Sequence, residues 1–233
     1  MTIKIYEDVE QGSDEWHELR RGIVTASTIG ALITPKTVKV SKAQTGLTKL
    51  TELAAERITT RAEEPITSRD IERGHFYEPI AREEYEKHQN VQVEEVGFIT
   101  REIDSYTIGF SPDGLVNDDG LFETKSRKQR IQVQHIRNGV VPDENMAQLQ
   151  TGLFVTERDW IDYVSYSSGM PMMILRVLPD PKWRKTILEA LEYAEEKITE
   201  IITDYETRSA GMPMTEYVEQ VEDWELELGG LSL

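Results

Sequence analysis

Apolar residues recur at helical spacing in two long stretches, which predicts amphipathic helices, and in the second stretch the steps alternate between four and three. The first helix is predicted over about 47–60, and the second begins after Pro181. The apolar positions of the second, which we expect to pack in the core, are Ile187, Leu191, Ala194, Ile198, Ile201 and Tyr205. Another helix, ENMAQLQTGLFVTE, is predicted to have Asp143 as its cap.

Capping and helix-breaking residues predict three more helices. Ser13 precedes DEWHELRR, which Gly22 would end, and Thr25 precedes ASTIGALI. A further helix is predicted around 70–89. Pro79 should kink or restart it, because a proline disfavours α geometry in the residue before it.

From 91 to 122 the pattern changes to short β-branched and aromatic runs separated by turns, which predicts a sheet. The DDG at 118–120 predicts a hairpin that leads into the strand LFETKS. Two more strands, WIDYVSY and MMILRVL, follow the helix after Asp143. This order of elements predicts an α/β fold with a central mixed β-sheet flanked by helices.

The length of 233 residues fits one large domain, which we place at residues 1–206. Residues 207–233 read as an acidic C-terminal tail, either solvated or a docking surface. The first residues, MTIKIYEDVEQG, lack the apolar core of a signal peptide, and no apolar run approaches the roughly 20 residues that cross a bilayer. We therefore expect a cytoplasmic protein without a membrane partner.

Cysteine is absent, which excludes thiolate nucleophiles, zinc–thiolate sites and iron–sulfur clusters. A metal would need oxygen ligands or one of four histidines (17, 75, 88 and 135), to which we assign no role. Oxygen ligands favour Mg²⁺, with Mn²⁺ as a substitute.

The formal net charge of −17 argues at first against a nucleic-acid partner, but the charge is unevenly distributed. Residues 20–61 carry eight Lys or Arg and two acids, a net +6. Residues 125–137 carry five basic residues and no acid, and residues 189–227 have a net charge of −11. This distribution is compatible with a basic groove on an acidic exterior, or with unevenly charged solvated faces.

The segment SPDGLVNDDGLFETKS at 111–126 contains the clearest candidate chemistry. Asp113 at the end of one strand and Glu123 on its hairpin partner can converge on one divalent cation, which phosphodiester hydrolysis requires. Strand alternation places Lys125 on the same face as Glu123, where its ammonium group can orient an attacking water. The alternative is an exposed hairpin with two solvated charges.

Four sequence blocks resemble the phage-lambda-type exonucleases, the YqaJ viral recombinase family within the PD-(D/E)xK nucleases. SPDG followed by ETK matches the nuclease signature. WHELRRGIVTAS at 16–27 resembles the family's opening block, GHFYEPIAREEY at 74–85 its G-x-x-x-E-P-x-A block, and MAQLQ at 146–150 its M-A-Q-x-Q helix. The resemblance covers about 135 residues and implies a restriction-endonuclease-like core.

The resemblance also implies roles for individual residues. Asp113, Glu123 and the backbone carbonyl of Thr124 would bind the metal, and Lys125 would position the nucleophile. Glu78 would hold a water molecule beside the metal. Gln148 would be the family's glutamine on the helix beside this site.

A second set resembles the family's pocket for a 5′-terminal phosphate. Arg20 offers a planar fork that can grip a phosphate, and Ser27 and Ser111 add hydroxyl groups. Arg21 reads as a groove or surface cation. Ile71 is at a plausible position for an apolar wedge between the last base pairs, although core packing explains it equally well.

By resemblance we expect a Mg²⁺-dependent 5′→3′ exonuclease that acts on double-stranded DNA ends and leaves 3′ overhangs for recombination. The same resemblance implies a trimeric ring, a single-strand annealing protein as partner, and a phage-infected or prophage-carrying bacterial cell. The alternatives are a PD-(D/E)xK endonuclease, or a non-enzymatic acidic DNA mimic that would need no metal.

Overall fold

The computed structural model describes residues 2–62 and 68–218. The chain separates into two units, residues 1–202 and 203–233. The second unit is described only as far as residue 218 and contains the last residues of a long helix followed by a turn and a segment without regular secondary structure. The predicted boundary between residues 206 and 207 stays a prediction, and residues 219–233 of the predicted tail lie outside the described residues.

Seven helices are present in the described part of the chain. Their bounds are α1 Asp14–Arg20, α2 Ala26–Leu32, α3 Gln44–Thr59, α4 Arg69–Gln89, α5 Gln129–Asn138, α6 Asp143–Thr156 and α7 Pro181–Ser209. Ser13 caps α1 as predicted, because its side chain accepts a hydrogen bond from the Trp16 N–H. None of the helices within the described ranges is long and apolar enough to cross a membrane.

The strands form a four-stranded, a five-stranded and a two-stranded sheet. Their bounds are β1 Ile3–Tyr6, β2 Val24–Thr25, β3 Ile33–Thr34, β4 Lys39–Val40, β5 Val93–Glu94, β6 Phe98–Ile103, β7 Tyr106–Phe110, β8 Gly114–Val116, β9 Gly120–Ser126, β10 Trp160–Tyr166 and β11 Met173–Val177. The strand orders are β1-β6-β7-β2, β11-β10-β9-β8-β5 and β3-β4. The first two sheets each mix parallel and antiparallel pairs, so the predicted mixed α/β fold with flanking helices is confirmed.

Strand β9 lies in the middle of the five-stranded sheet. It pairs antiparallel with β8, where Gly114 is opposite Phe122, and parallel with β10, where Glu123 is beside Tyr163. The predicted hairpin at 118–120 is therefore confirmed. The exposed-hairpin alternative is wrong for Glu123, because that side chain is fully buried.

Helix α4 is fixed against the five-stranded sheet by a small second core. Tyr85 of α4 packs on Phe122 of β9, with their ring centroids 4.8 Å apart. The Tyr85 hydroxyl also donates a 2.8 Å hydrogen bond to Asp162 of β10. This packing fixes the helix that carries Glu78 against the strand that carries Glu123.

The structure differs from the predicted helices at Pro79, Asp143 and Tyr205, and Tyr205 is exposed on α7 although it was predicted to pack in the core. Helix α4 continues from Arg69 to Gln89 through Pro79 without a restart. The restart predicted at Pro79 is therefore wrong, and the alternative of a kink stays a prediction. Asp143 is the first residue of α6 and not its cap, since Pro142 occupies the cap position and Asp143 is in the acidic first turn.

Gly109 of β7 allows close packing against Phe98 of β6. A Cβ at Gly109 would lie 2.2 Å from the Cζ of Phe98, which is fully buried. We expect Gly109→Ala to lower the free energy of unfolding by about 1–3 kcal/mol, because the core has no room for the methyl group. Thermal and urea unfolding followed by circular dichroism will measure the change.

Gly30→Ala in α2 is the matched control. A Cβ at Gly30 would meet nothing within 4 Å, so the same substitution should leave the stability unchanged or raise it by about 0.5–1 kcal/mol. Equal losses in the two variants would contradict this account of the packing.

Candidate active site

The turn after β7 and the middle of β9 bring Asp113 and Glu123 to the same end of the sheet. Asp113 is one residue before β8, which pairs with β9. Its Oδ2 accepts a 2.7 Å hydrogen bond from the backbone N–H of Thr124. Its Oδ1 accepts no hydrogen bond within the described part of the chain. Asp113 is therefore held beside Glu123 with one carboxylate oxygen available.

Glu123 is bound on one oxygen only. Its Oε1 accepts hydrogen bonds from Lys125 Nζ at 2.5 Å and from Gln148 Nε2 at 2.6 Å. Its Oε2 is buried and has no hydrogen-bond donor among the described residues. A buried carboxylate oxygen without a partner is costly, so this atom is a natural site for a cation.

Burial and neighbouring charges shift the pKa values of the acidic groups and of Lys125. Burial raises the pKa of Glu123 to about 8; the charge of Asp113 adds to the shift and Lys125 opposes it. Burial also raises the pKa of Asp113, against the opposing effects of Lys125 and the Thr124 N–H. Burial lowers the pKa of Lys125, but Glu123 and Asp113 raise it more, so the ammonium group stays charged.

Glu78 faces the same site from α4. It lines a cavity of about 600 Å³ together with Asp113, His75 and Arg82. Burial, followed by the charge of Asp113, raises the pKa of Glu78 to about 7. Because Asp113 also raises the pKa of Glu123, and Glu78 does so to a smaller extent, the three carboxylates act on one another electrostatically.

Arg20 of α1 and Ser111 form a second cluster next to the turn that contains Asp113. Arg20 Nη1 donates a 2.8 Å hydrogen bond to Ser111 Oγ, and its guanidinium lies 4.1 Å from the ring centroid of Trp16. Trp16 Nε1 also donates to Ser111 Oγ, at 3.1 Å. Burial lowers the pKa of Arg20 to about 10, so it remains a cation at neutral pH.

Ser27 is close in the fold but is not bonded to this pair. Its hydroxyl is 2.9 Å from the hydroxyl of Thr25, and Thr25 pairs with Gly109 of β7, two residues before Ser111. Ser27 is exposed at the start of α2. The structure thus brings Arg20 and Ser111 together, and the proposed contribution of Ser27 to a phosphate pocket stays a prediction.

Two residues that bond the backbone of the turn containing Asp113 were not predicted from the sequence. Gln11 Nε2 donates to the carbonyls of Val96 and Pro112, at 3.0 and 2.8 Å. Arg82 Nη1 donates to the Asp113 carbonyl at 3.3 Å and forms a 2.8 Å ion pair with Glu95. The spacing of Arg82, four residues after Glu78 on one helix face, was a usable signal, whereas Gln11 had none.

The site residues fit a hard divalent cation. The described residues contain no cluster of three or more acidic or histidine side chains ready to bind a metal. The unpartnered Oε2 of Glu123 and the available Oδ1 of Asp113 nevertheless offer two carboxylate oxygens, which is the number that Mg²⁺ commonly takes from a protein. The predicted role of the Thr124 carbonyl stays a prediction.

The raised pKa values predict how stability depends on pH. Between the ordinary glutamate value of 4.5 and about 8, the folded metal-free protein holds protons on Glu123 and Glu78 that the unfolded chain has lost. The free energy of unfolding should therefore fall between pH 5 and pH 8, by about 3–6 kcal/mol. Urea unfolding in EDTA across this range will measure it.

Two comparisons complete this pH experiment. Glu123→Gln should flatten the pH dependence, whereas Glu189→Gln, a change of an exposed glutamate on α7, should not. Mg²⁺ should stabilise the protein more at pH 8 than at pH 5, because it competes with protons for the carboxylates. A metal-free stability that rises from pH 5 to pH 8 would contradict the assignment.

The chain is similar to one protein family and to solved exonuclease structures. The model of the YqaJ-like viral recombinase domain matches residues 15–159. The alkaline exonuclease LHK-Exo from Laribacter hongkongensis is 28% identical, with a TM-score of 0.75 over 86% of this chain and 100% of that chain. Its complex with dAMP matches at 29% identity and the same TM-score and coverage. A comparison with curated proteins finds no match.

A more distant structure supports the fold alone. The phage-related exonuclease from Haemophilus somnus 129PT is 14% identical, with a TM-score of 0.56 over 81% of this chain and 98% of that chain. The family match covers more than half of the chain and includes Asp113, Glu123 and Lys125. The protein thus has the PD-(D/E)xK nuclease fold and belongs to the YqaJ-like viral recombinase domain family.

Proposed function

We propose that the protein is a Mg²⁺-dependent exonuclease that degrades one strand of linear double-stranded DNA from its 5′ end. The product would be a duplex with a 3′ single-stranded overhang for homologous recombination. One observation carries the proposal: Glu123 is buried with one oxygen held by Lys125 and Gln148 and the other without a donor in the part of the chain that the structure describes. The exonuclease activity named for LHK-Exo supports it.

The metal would be held by Asp113 and Glu123. When bound there, Mg²⁺ would neutralise charge on the scissile phosphate and lower the pKa of the attacking water. Mn²⁺ would substitute because it accepts the same oxygen ligands.

The chain's own residues orient the reactants. The Lys125 ammonium group, fixed 2.5 Å from Glu123, can donate a hydrogen bond to the attacking water and stabilise negative charge on the phosphate. Gln148 holds the Glu123 carboxylate in place from α6. Glu78, on the cavity wall beside Asp113, can accept a hydrogen bond from the same water and fix its direction.

The Arg20–Ser111 cluster supports end recognition. Ser111 is two residues before Asp113, so a phosphate gripped by Arg20 would lie close to the catalytic carboxylates. An enzyme that cuts inside a strand has no terminal phosphate to hold, and this cluster therefore favours an exonuclease over an endonuclease. Arg20 stays charged at neutral pH and can contact two phosphate oxygens.

The proposal includes further expectations that rest on the family resemblance. We infer a ring-shaped homotrimer around duplex DNA, a single-strand annealing protein as partner, and action in the cytoplasm of a phage-infected or prophage-carrying bacterium. An acidic DNA mimic would need neither a metal nor Asp113.

Linear duplex DNA labelled at the 5′ or the 3′ end, together with covalently closed circles, tests the function. With Mg²⁺ we expect rapid release of 5′-labelled mononucleotides, retention of the 3′ label on long fragments, and intact circles. Asp113→Asn should lower the rate at least about 100-fold, because one metal ligand loses its charge. Cleavage of circles, early loss of the 3′ label, or full activity of Asp113→Asn would contradict the proposal.

A second experiment tests end recognition. The wild type should cut 5′-phosphorylated duplex about 10–100-fold better in kcat/KM than 5′-hydroxyl duplex, because the phosphate receives charged hydrogen bonds. Arg20→Ala should remove this preference and Arg20→Lys should restore only part of it. Arg21→Ala is the control, since Arg21 is bonded to Glu18 and to the Thr60 carbonyl, and it should keep the preference. An unchanged preference in Arg20→Ala would refute the pocket.

A further inference from the structure

Two cations share one exposed carboxylate where β9 ends. Asp70, in the first turn of α4, accepts a 2.6 Å hydrogen bond from Arg73 and lies 3.0 Å from Lys128 Nζ. Asp70 and Lys128 side chains are 62% and 66% exposed, and Arg73 is 25% exposed. This cluster, named the Asp70 cluster below, is therefore accessible to a ligand.

The Asp70 cluster is attached to the catalytic elements on both sides. Arg73 is five residues before Glu78 on α4, roughly 7.5 Å along the helix axis. Arg73 Nη2 also reaches the carbonyl of Ser126, at 3.5 Å, and Ser126 follows Lys125 in β9. One DNA strand carries a phosphate for every ~3.4 Å of helix axis. A DNA strand whose scissile phosphate lies at Glu123 would thus have neighbouring phosphates within reach of the Asp70 cluster.

The charge balance at the end of β9 favours an anion. Lys125 faces the active-site carboxylates of Glu123, Asp113 and Glu78. The three other cations there, Arg127, Lys128 and Arg73, have one ion-paired carboxylate among the described residues, Asp70. Among the described residues, the Arg127 guanidinium is bonded to two neutral partners, Asn145 Oδ1 and Tyr163 OH. Two positive charges therefore remain without a paired carboxylate, which attracts negatively charged ligands.

Structural stabilisation is a weak explanation for the Asp70 cluster. Exposed ion pairs contribute little to folding, and Asp70 and Arg73 are already neighbours on one helix. Hydrogen bonds from Lys128 and Arg73 hold the pKa of Asp70 below its ordinary value, so this carboxylate is an anion at neutral pH. It occupies the position between two cations that a phosphate oxygen would take.

We propose that Arg73 and Lys128 form a second phosphate-binding subsite, which binds a backbone phosphate of the DNA near the scissile one. Asp70 holds the two cations in place in the free protein and competes with that phosphate when DNA binds. This inference rests on the proposed nuclease function and adds to it a subsite with an internal competitor.

The competitor role predicts effects of opposite sign. In equilibrium binding to duplex DNA in Ca²⁺, Arg73→Ala and Lys128→Ala should each weaken binding about tenfold at low salt and reduce the slope of log K against log salt by about 1. Asp70→Asn should strengthen binding several-fold, because the cations lose their internal anion. If Asp70 is only a structural tie, Asp70→Asn should weaken binding like the other two variants, and this would overturn the proposal.

Lys185→Ala is the matched control for charge. Lys185 is 79% exposed on α7, and its only ion pair within the described ranges is a 3.8 Å contact with Glu189. Its removal should leave the DNA affinity unchanged within about twofold. Thermal unfolding of all four variants will show whether each remains folded. If Lys185→Ala loses as much DNA affinity as Arg73→Ala and Lys128→Ala, the loss follows from net charge alone and the subsite is wrong.

Neutral backbone linkages identify which phosphate is bound. A methylphosphonate placed at single positions, in the cut strand or in its complement, removes one phosphate charge at a time. At the bound position, the tenfold difference between wild type and Arg73→Ala should disappear, and elsewhere it should persist. A difference that persists at each position in both strands would contradict a discrete subsite.

The outcome is separable from the proposed function. If the wild type fails to degrade linear DNA, the nuclease proposal fails regardless of these variants. If the wild type binds and degrades DNA while Arg73→Ala and Lys128→Ala keep its affinity and salt slope, only the subsite is wrong.

Discussion

The buried carboxylate of Glu123 is the constraint on which the site depends. A charged oxygen in the interior is unfavourable unless hydrogen bonds or a counter-charge compensate it. Lys125 and Gln148 satisfy Oε1 from the strand and from α6, and Oε2 is left without a donor in the described structure. The raised pKa of this group reflects that incomplete compensation. A divalent cation shared with Asp113 would complete it, so the same defect that destabilises the metal-free fold would favour metal binding.

The rest of the fold holds the partners of Glu123 at fixed positions. Strand β9 is enclosed by β8 and β10, which leaves its backbone little freedom. Helix α4 is anchored beyond Glu78 by Tyr85, whose hydroxyl is bonded to Asp162, and Asp162 is held by two hydrogen bonds from Arg176. The turn before Asp113 is fixed by Gln11, Trp16 and Arg20. The carboxylates are thus positioned by elements that are distant from one another in the chain.

The sequence predicted the parts of this arrangement that depend on local rules. The caps and apolar spacing located most helices, the DDG turn located the β8–β9 hairpin, and alternation placed Glu123 and Lys125 on one face. At Pro79 the local rule predicted a kink or a restart, and α4 continues without a restart and packs against the sheet through Tyr85. The support given by Gln11 to residue 112 spans 101 residues, and no local pattern contains that information. The division of the strands into a four-stranded and a five-stranded sheet, beside the small β3–β4 pair, likewise depends on long-range pairing.

The central claim is that Glu123 Oε2 and Asp113 share one metal ion. The most direct measurement is the anomalous difference map of a crystal grown with Mn²⁺. Our account predicts one strong peak within about 2.3 Å of Glu123 Oε2 and of an Asp113 oxygen, with an octahedral shell completed by oxygen atoms. A peak that contacts neither carboxylate, or carboxylates that remain directed away from each other in the presence of Mn²⁺, would contradict it.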